Sequence, residues 1–176
     1  MNSINVKKSK LPILYSFRRC PYAMRARLAL LVSKIEVEIR EVLLKEKPLE
    51  FLEVSASATV PCLVTDTDVI DESLDIMIWA LKIHDPENWL DVPSHGYTLI
   101  EEFDGPFKEA LDKTKYSSRY PDTNSEESKK IAAAFLHNLE TQLNEGYISS
   151  KQPTLVDFAL LPFIRQFANI DYAWFS

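Results

Sequence analysis

Residues 11 to 23 read Leu-Pro-Ile-Leu-Tyr-Ser-Phe-Arg-Arg-Cys-Pro-Tyr-Ala, an apolar run that stops abruptly at two arginines. The run predicts a short strand, and a helix is predicted from Pro21 to about Ser33. A proline fits the first helical position because its φ is fixed and its missing N–H has no helical partner there. Cys20 is therefore expected at or beside the N-cap. The predicted helix has apolar residues at helical spacing: Met24, Leu28, Leu31, Ile35.

The following segments continue the alternation of strands and helices. Residues 36–42 alternate charged and β-branched side chains, which predicts a half-buried strand parallel to the first and hence a βαβ unit. Residues 48–54 are a short helix candidate, and residues 59–64 and 68–70 predict a hairpin. Glu72-Ser73 then opens an apolar helix. The first half is predicted to be an α/β domain over residues 1–83, in the order βαβαββα.

The second half has the pattern of a helical domain. Residues 84–95 carry two prolines among polar side chains, which is typical of a linker, and residues 96–176 follow as an all-α domain. Helices are predicted over residues 97–115, interrupted by Gly105-Pro106, and over residues 125–145, with Gly146 as the stop. The pattern Thr154-x-x-Asp157 predicts a capping box at a third helix. The middle helix has four apolar residues in register: Ile131, Phe135, Leu139, Leu143.

The composition narrows the function classes. The 176 residues are 46% hydrophobic, and 20 Lys plus Arg against 26 Asp plus Glu give a net charge of −6, which argues against nucleic acid and anionic lipid as partners. No apolar run approaches the roughly 18 residues of a membrane span, and no signal-peptide pattern opens the chain. We therefore expect a cytoplasmic protein. The N-terminal lysines are expected in a short solvated tail: Lys7, Lys8, Lys10.

The cysteines and histidines limit the site chemistry. Only Cys20 and Cys62 occur, which is no disulfide framework and favours a reducing compartment. The three histidines have no ligand-like spacing, so no metal site is expected. An acidic group near the predicted hairpin suggests a solvated turn rather than a metal site: Asp66, Asp68, Asp71.

Cys20 is the candidate nucleophile. A thiol reacts as the thiolate, and helix N-terminal N–H groups together with nearby cations lower the pKa of a cysteine from its usual value of about 8.5. Arg18, Arg19 and Arg25 are the candidate cations. The alternative is a buried structural cysteine, which the Cys-Pro pair between a strand and a helix disfavours.

Five short motifs occur in a fixed order along the chain: Cys20-Pro21-Tyr22-Ala23, Lys45-Glu46-Lys47-Pro48, Val60-Pro61, Glu72-Ser73, Thr154-x-x-Asp157. With these motifs the sequence resembles the glutathione transferases, especially the cysteine-type branch that includes the omega class, whose N-terminal half is glutaredoxin-like. The resemblance implies a thioredoxin-like domain followed by an all-helical domain. In the family the helical domain continues with at least one more helix, so the helical domain here is expected to be incomplete.

The resemblance also implies a glutathione site. Val60-Pro61 would be a cis peptide bond, with the Val60 backbone pairing with the cysteinyl part of glutathione. Glu72 would bind the ammonium group of the γ-glutamyl residue and Ser73 its carboxylate. Lys47 would meet the glycyl carboxylate, the alternative being a solvated lysine. Tyr22 would shape the pocket beside Cys20.

The implied reaction is a monothiol one. Ala23 stands where a dithiol glutaredoxin has its resolving cysteine, and Cys62 is expected in the core. The predicted activity is therefore glutathione-dependent reduction or deglutathionylation, with glutathione as co-substrate, no metal, and a small disulfide or electrophile as second substrate. One alternative is conjugation of electrophiles, with Tyr15 or Ser16 as the candidate activating hydroxyl, and another is a binding module without turnover. A homodimer is also expected.

Overall fold

The computed structural model describes residues 11–148 and 150–176. The predicted tail lysines Lys7, Lys8 and Lys10 lie outside the described residues. The chain divides into two compact units, one up to Ala80 and one from Leu81 onward.

The first unit is a four-stranded mixed sheet with helices, which contains the predicted parallel pair and the predicted hairpin. Strand β1 pairs in parallel with β2 and antiparallel with β3, and β3 pairs antiparallel with β4, so the strand order is β2-β1-β3-β4. The sequence order βαβαββα and the thioredoxin-like fold class are confirmed. The elements are β1 Ile13–Ser16, α1 Pro21–Val32, β2 Glu38–Glu41, α2 Leu49–Val54, β3 Cys62–Val64, β4 Val69–Ile70 and α3 Ser73–Ile83.

The buried face of α1 differs from the predicted one. Leu31 is 76% exposed, and the apolar side chains of α1 that lie in the hydrophobic core are those of three alanines and one leucine: Ala23, Ala26, Ala29, Leu30. Pro21 and Arg25 are also buried. Apolar residues surround this helix on nearly every side, so spacing alone did not select a face. Burying alanines brings a helix axis close to the surface that it packs on.

Strand β2 is more exposed than predicted because it lies at the edge of the sheet. Ile39 is 55% exposed, whereas Val42, just after the strand, is 1% exposed. Val42 packs in a core cluster with three other residues: Tyr15, Phe51, Cys62. The Tyr15 and Phe51 ring centroids lie 5.0 Å apart, so β1 and α2 share this core.

The second unit is mainly helical. Pro106 lies in a π-helical turn that joins α4 to α5, so the predicted interruption takes the form of a widened turn. Within residues 84–95, Trp89 is 3% exposed and stacks on Phe158 at a centroid distance of 3.7 Å. The elements are α4 Gly96–Glu102, the π turn Phe103–Phe107, α5 Lys108–Lys115, the 3-10 turn Ser117–Arg119, α6 Ser125–Thr141, β5 Leu143–Asn144, β6 Tyr147–Ile148, α7 Leu155–Ala168 and α8 Tyr172–Phe175.

Helix α6 ends earlier than predicted. It stops at Thr141 rather than residue 145, and a small antiparallel hairpin, β5 and β6, follows it. Glu145 and Gly146 have φ values of +53° and +95°, which is the backbone that a two-residue hairpin turn requires. Gly146 is therefore a turn residue and not the end of a helix.

The start of α7 confirms the predicted capping box. The Thr154 hydroxyl accepts a hydrogen bond from the Val156 N–H, and the Asp157 carboxylate accepts one from the Thr154 N–H at 2.7 Å. The other Asp157 oxygen accepts from the Ile148 N–H at 2.9 Å, so the cap also fixes the hairpin.

Gly96 begins α4 at a close approach. A Cβ atom on Gly96 would lie 2.6 Å from a methyl group of Val92 and from one of Val156. No helix in the described ranges is long and apolar enough to cross a membrane.

Candidate functional site

Cys20 lies at the N-cap of α1, as predicted. Its φ and ψ are −74° and 122°, its N–H donates to the Phe17 carbonyl oxygen at 3.0 Å, and its own carbonyl accepts from Met24 at 2.9 Å. The chain thus leaves β1, turns once and enters α1 with the Cys20 side chain partly exposed. Unpaired helix N-terminal N–H groups and the positive end of the dipole favour a thiolate here.

Val60 and Pro61 face this cysteine. The bond between them is cis, which confirms that prediction, and Pro61 is buried just before β3. The Cys20 thiol donates to the Val60 carbonyl oxygen, with Sγ and O 3.6 Å apart. Residues 40 positions apart in the sequence are therefore in contact.

Arg27, which was not among the predicted cations, interacts electrostatically with Cys20. Its Nη1 donates to Ser16 Oγ at 2.6 Å and its Nη2 to the Arg18 carbonyl oxygen at 3.1 Å. Burial lowers the pKa of Arg27, whereas the negative charges of Glu41 and of Cys20 as thiolate raise it. The Arg27 guanidinium thus stabilises the loop before Cys20 through hydrogen bonds and interacts with the Cys20 sulfur as a positive charge.

Two of the three predicted cations, Arg19 and Arg25, contact other side chains. Arg18 and Arg19 are exposed, and Arg19 lies over the Phe17 ring at 5.6 Å from its centroid. Arg25 is 2% exposed and bonds to Ser73. Arg27 comes seven residues after Cys20, which is about two helical turns and places both on one face of the helix, and this spacing is the sequence signal that could have identified it.

Ser73 is the first residue of α3 and is buried. Its Oγ accepts a hydrogen bond from Arg25 Nε at 3.0 Å, and the Arg25 guanidinium lies over the Tyr22 ring at 5.1 Å from its centroid. Tyr22 and Ser73, two predicted site residues, therefore both contact one arginine. Glu72 immediately precedes α3 and is exposed.

Lys47 is exposed, and it contacts the loop before the cis bond. Its Nζ donates to the Ala58 carbonyl oxygen at 3.0 Å. Ala58 has a φ of +51°, so an alanine occupies a left-handed position in a loop that lacks glycine.

Asp71 fixes the same loop, a role that sequence reasoning missed. Its oxygens accept from Ser55 Oγ at 2.7 Å and from the Ser57 N–H at 3.2 Å. Burial raises the pKa of Asp71, but the hydrogen bonds from Ser55, Cys62 and the loop backbone outweigh it and lower this pKa. The loop that leads to Val60 is thus attached to the residue just after β4.

Cys62 is a core residue, as expected. It is fully buried, and burial followed by its hydrogen bond to Asp71 raises its pKa to about 12. A thiol so protected from ionisation is a poor nucleophile. Asp71 thus stabilises the loop before Val60 and is not part of the hairpin turn.

Within the described residues, no group of three or more His, Cys, Asp or Glu could hold a metal ion.

A cavity of about 400 Å³ lies in the second unit. It contains none of the predicted glutathione contacts. Its lining is mainly apolar and includes Leu136, Leu139, Leu143, Phe158, Leu161 and Phe175.

Comparison with known families matches both units. The model of the glutathione S-transferase N-terminal domain matches residues 14–88, and that of the C-terminal domain matches residues 84–174. This chain belongs to the glutathione S-transferase family. The predicted family is therefore confirmed.

Curated relatives agree with this assignment. A probable glutathione transferase omega-2 from Caenorhabditis elegans is 24% identical over 161 residues, 87% of this chain and 63% of that protein. A probable glutathione S-transferase parA from Nicotiana tabacum is 30% identical over 171 residues, 90% of this chain and 74% of that protein. The chain thus spans less than two thirds of the nematode relative.

Solved structures show the same fold. Glutathione transferase Omega 3C from Trametes versicolor aligns with a TM-score of 0.75 at 20% identity, covering 88% of this chain and 68% of that one. The Tau class glutathione S-transferase from mango, Mangifera indica, aligns with a TM-score of 0.72 at 22% identity, covering 94% of this chain and 80% of that one.

Proposed function

We propose that this transferase-family protein is a glutathione-dependent thiol transferase in which Cys20 acts as the only nucleophile. The observation that carries the proposal is the position of Cys20 at the N-cap of α1, with its sulfur 3.6 Å from the Val60 carbonyl oxygen. Arg27 adds positive charge, and Ala23 stands where a resolving thiol would be needed for a dithiol reaction. The omega-type name of the nematode relative is consistent with it.

The reaction is a pair of thiol–disulfide exchanges. The Cys20 thiolate attacks the glutathione sulfur of a mixed disulfide, forming a Cys20–glutathione disulfide and expelling the substrate sulfur as a thiolate that takes up a proton. The thiolate of a second glutathione then attacks the glutathione sulfur on the enzyme. Oxidised glutathione leaves, and Cys20 returns as a thiolate. The substrate disulfide is reduced by two electrons, and two glutathione units are joined.

The proposed contacts hold the glutathione part of that disulfide. The Val60 backbone pairs with its cysteinyl residue, Glu72 takes the γ-glutamyl ammonium, and Ser73 with the α3 N-terminus takes the γ-glutamyl carboxylate. Lys47 is proposed for the glycyl carboxylate, which requires it to share or leave its bond to Ala58. A carbonyl oxygen accepts two hydrogen bonds, so Val60 has room for a peptide N–H beside the thiol.

The test is glutathione-dependent reduction of the mixed disulfide of glutathione and 2-mercaptoethanol. Cys20→Ser is expected to abolish turnover, whereas Cys62→Ser keeps a donor for Asp71 and is expected to retain it. Mass spectrometry of the wild type should find one glutathione adduct, on Cys20. Equal rates for wild type and Cys20→Ser would contradict the proposal.

Conjugation of electrophiles is the second candidate function. The proposed hydroxyls are engaged in the structure: Tyr15 is buried and accepts from Arg40 Nη1 at 3.2 Å, and Ser16 accepts from Arg27. This weighs against a hydroxyl that activates glutathione. Conjugation predicts that turnover of a halonitrobenzene survives Cys20→Ser, and a binding module predicts glutathione binding without turnover in either assay.

The cellular context is proposed from composition and family. We propose a cytoplasmic protein that forms a homodimer, with a small disulfide or electrophile as second substrate and neither nucleic acid nor membrane as partner. Sedimentation of the purified chain tests the dimer. A monomer over the whole concentration range would contradict it.

A further inference from the structure

Arg25 is a buried cation inside the first unit. It is 2% exposed, although a charged side chain is costly to bury unless polar groups compensate it. Its Nε lies 3.0 Å from Ser73 Oγ, and its guanidinium carbon lies 5.1 Å from the Tyr22 ring centroid. The side chain therefore connects the first turn of α1 with the first turn of α3.

The direction of the hydrogen bond has a chemical consequence for Ser73. An arginine nitrogen only donates, so Ser73 Oγ must accept, which leaves the hydroxyl proton to point away from Arg25. A hydroxyl that accepts from a cation is also polarised and becomes a better donor. Ser73 thus offers an oriented O–H at the start of an 11-residue helix, whose N-terminal N–H groups favour an anion.

We propose that Arg25 is a positioning residue for the carboxylate of the γ-glutamyl residue, a proposal that rests on the glutathione site described above. Arg25 holds the Ser73 hydroxyl as a donor to that carboxylate and places a buried positive charge behind it. Arg25 itself does not touch the reacting sulfur atoms. Its effect should therefore fall on glutathione binding and spare the chemical step.

An arginine is required rather than any cation. The Tyr22 ring supports one face of the planar guanidinium, and Nε is the donor nearest the stem, which fixes its direction toward Ser73. A lysine at this position keeps the charge but has no Nε fork, so it cannot hold the hydroxyl in the same orientation.

The experiment compares two ligands in five proteins. The ligands are glutathione and 4-aminobutyryl-cysteinyl-glycine, which lacks only the γ-glutamyl carboxylate. The proteins are the wild type, Arg25→Lys, Ser73→Ala, the double variant Arg25→Lys with Ser73→Ala, and Arg119→Lys. The last is the matched control, because Arg119 also lies over a tyrosine, Tyr116, at 4.6 Å but is exposed in the second unit. Dissociation constants come from calorimetry, and KM and kcat from the mixed-disulfide assay.

For Arg25→Lys we expect about tenfold weaker glutathione binding, as for the loss of one charge-assisted hydrogen bond, with kcat changed less than about twofold. The analogue should bind the wild type and Arg25→Lys equally. Adding Arg25→Lys to Ser73→Ala should weaken glutathione binding no further, and Arg119→Lys should bind both ligands like the wild type.

Two results would overturn this inference but leave the proposed function standing. In the first, Arg25→Lys binds glutathione as tightly as the wild type. In the second, Arg25→Lys loses the same affinity for both ligands, which is the result expected of a general structural role. If Arg25→Lys fails to fold, NMR of the wild type provides the test. The chemical shift of the Arg25 Nε–H group should change when glutathione binds and should not change when the analogue binds. The same shift with both ligands would overturn the inference. A wild type that binds no glutathione would overturn the proposed function together with it.

Discussion

Ala58→Gly is expected to stabilise this protein. A left-handed φ, here +51°, costs an L-residue about 1–2 kcal/mol, and glycine removes that cost. Glycine also increases the conformational entropy of the unfolded chain, which lowers the free energy of unfolding by about 0.4–1 kcal/mol. The difference predicts a gain of about 0.5–1 kcal/mol in the free energy of unfolding and a rise of about 2 °C in Tm. The Lys47 bond persists because it uses the Ala58 carbonyl oxygen.

The assay is urea and thermal unfolding followed by circular dichroism. Ala56→Gly is the matched control, since Ala56 lies exposed in the same loop and has no positive φ. At position 56 glycine relieves no strain and only increases the entropy of the unfolded chain, so this variant should be less stable than the wild type. The two substitutions are chemically identical and two residues apart. Equal effects, or a less stable Ala58→Gly variant, would refute the assignment of strain to position 58.

Gly96→Ala should lower the free energy of unfolding by about 1–3 kcal/mol in urea, because its Cβ would overlap two stiff valine side chains. Asp157→Ala should cost about 1–2 kcal/mol by the same measurement, since the cap and a hairpin N–H lose their acceptor, whereas Asp157→Asn should cost less. Iodoacetamide at pH 8 should label native protein once, at Cys20, since the pKa of Cys62 is about 12, and two adducts on native protein would contradict this. Because folded Cys62 keeps its proton while the unfolded thiol ionises near its ordinary value of 9.0, its contribution to stability should fall as pH rises from about 9 to about 12. Asp71, with its lowered pKa, should lose its contribution as pH falls through the acidic range, and Asp71→Asn should remove that pH dependence.

Local sequence signals predicted the topology well. Pro21 after a strand and the Thr154 capping box each have a specific backbone consequence, and both occur as expected. The cis bond at Val60-Pro61, by contrast, was implied by the family resemblance and not by the local sequence. Pro21 and Thr154 are different in this respect. Such residues act through their own φ, missing N–H or side-chain acceptor, so they can be interpreted without knowing the tertiary structure.

The errors arose where tertiary packing decides. The buried face of α1 depends on how closely the helix approaches the sheet, and the alanines, not Leu31, satisfy that distance. The end of α6 was placed too late because Leu143 continued the apolar spacing of the helix. A two-residue hairpin turn with Glu145 in a left-handed conformation has only Gly146 as its sequence signal, and a glycine also fits a helix end.

The two arginines of α1 explain why the site was only partly predictable. Both follow Cys20 closely, and charge alone cannot tell which one serves the thiol. Residues two apart on a helix are rotated by about 200°, so Arg25 and Arg27 must diverge. Arg27 returns to the loop before Cys20, whereas Arg25 reaches Ser73 on α3. One helix therefore supplies a positive charge to the sulfur and a second to the proposed carboxylate contact, a division of roles that follows from helical geometry once the buried face is known.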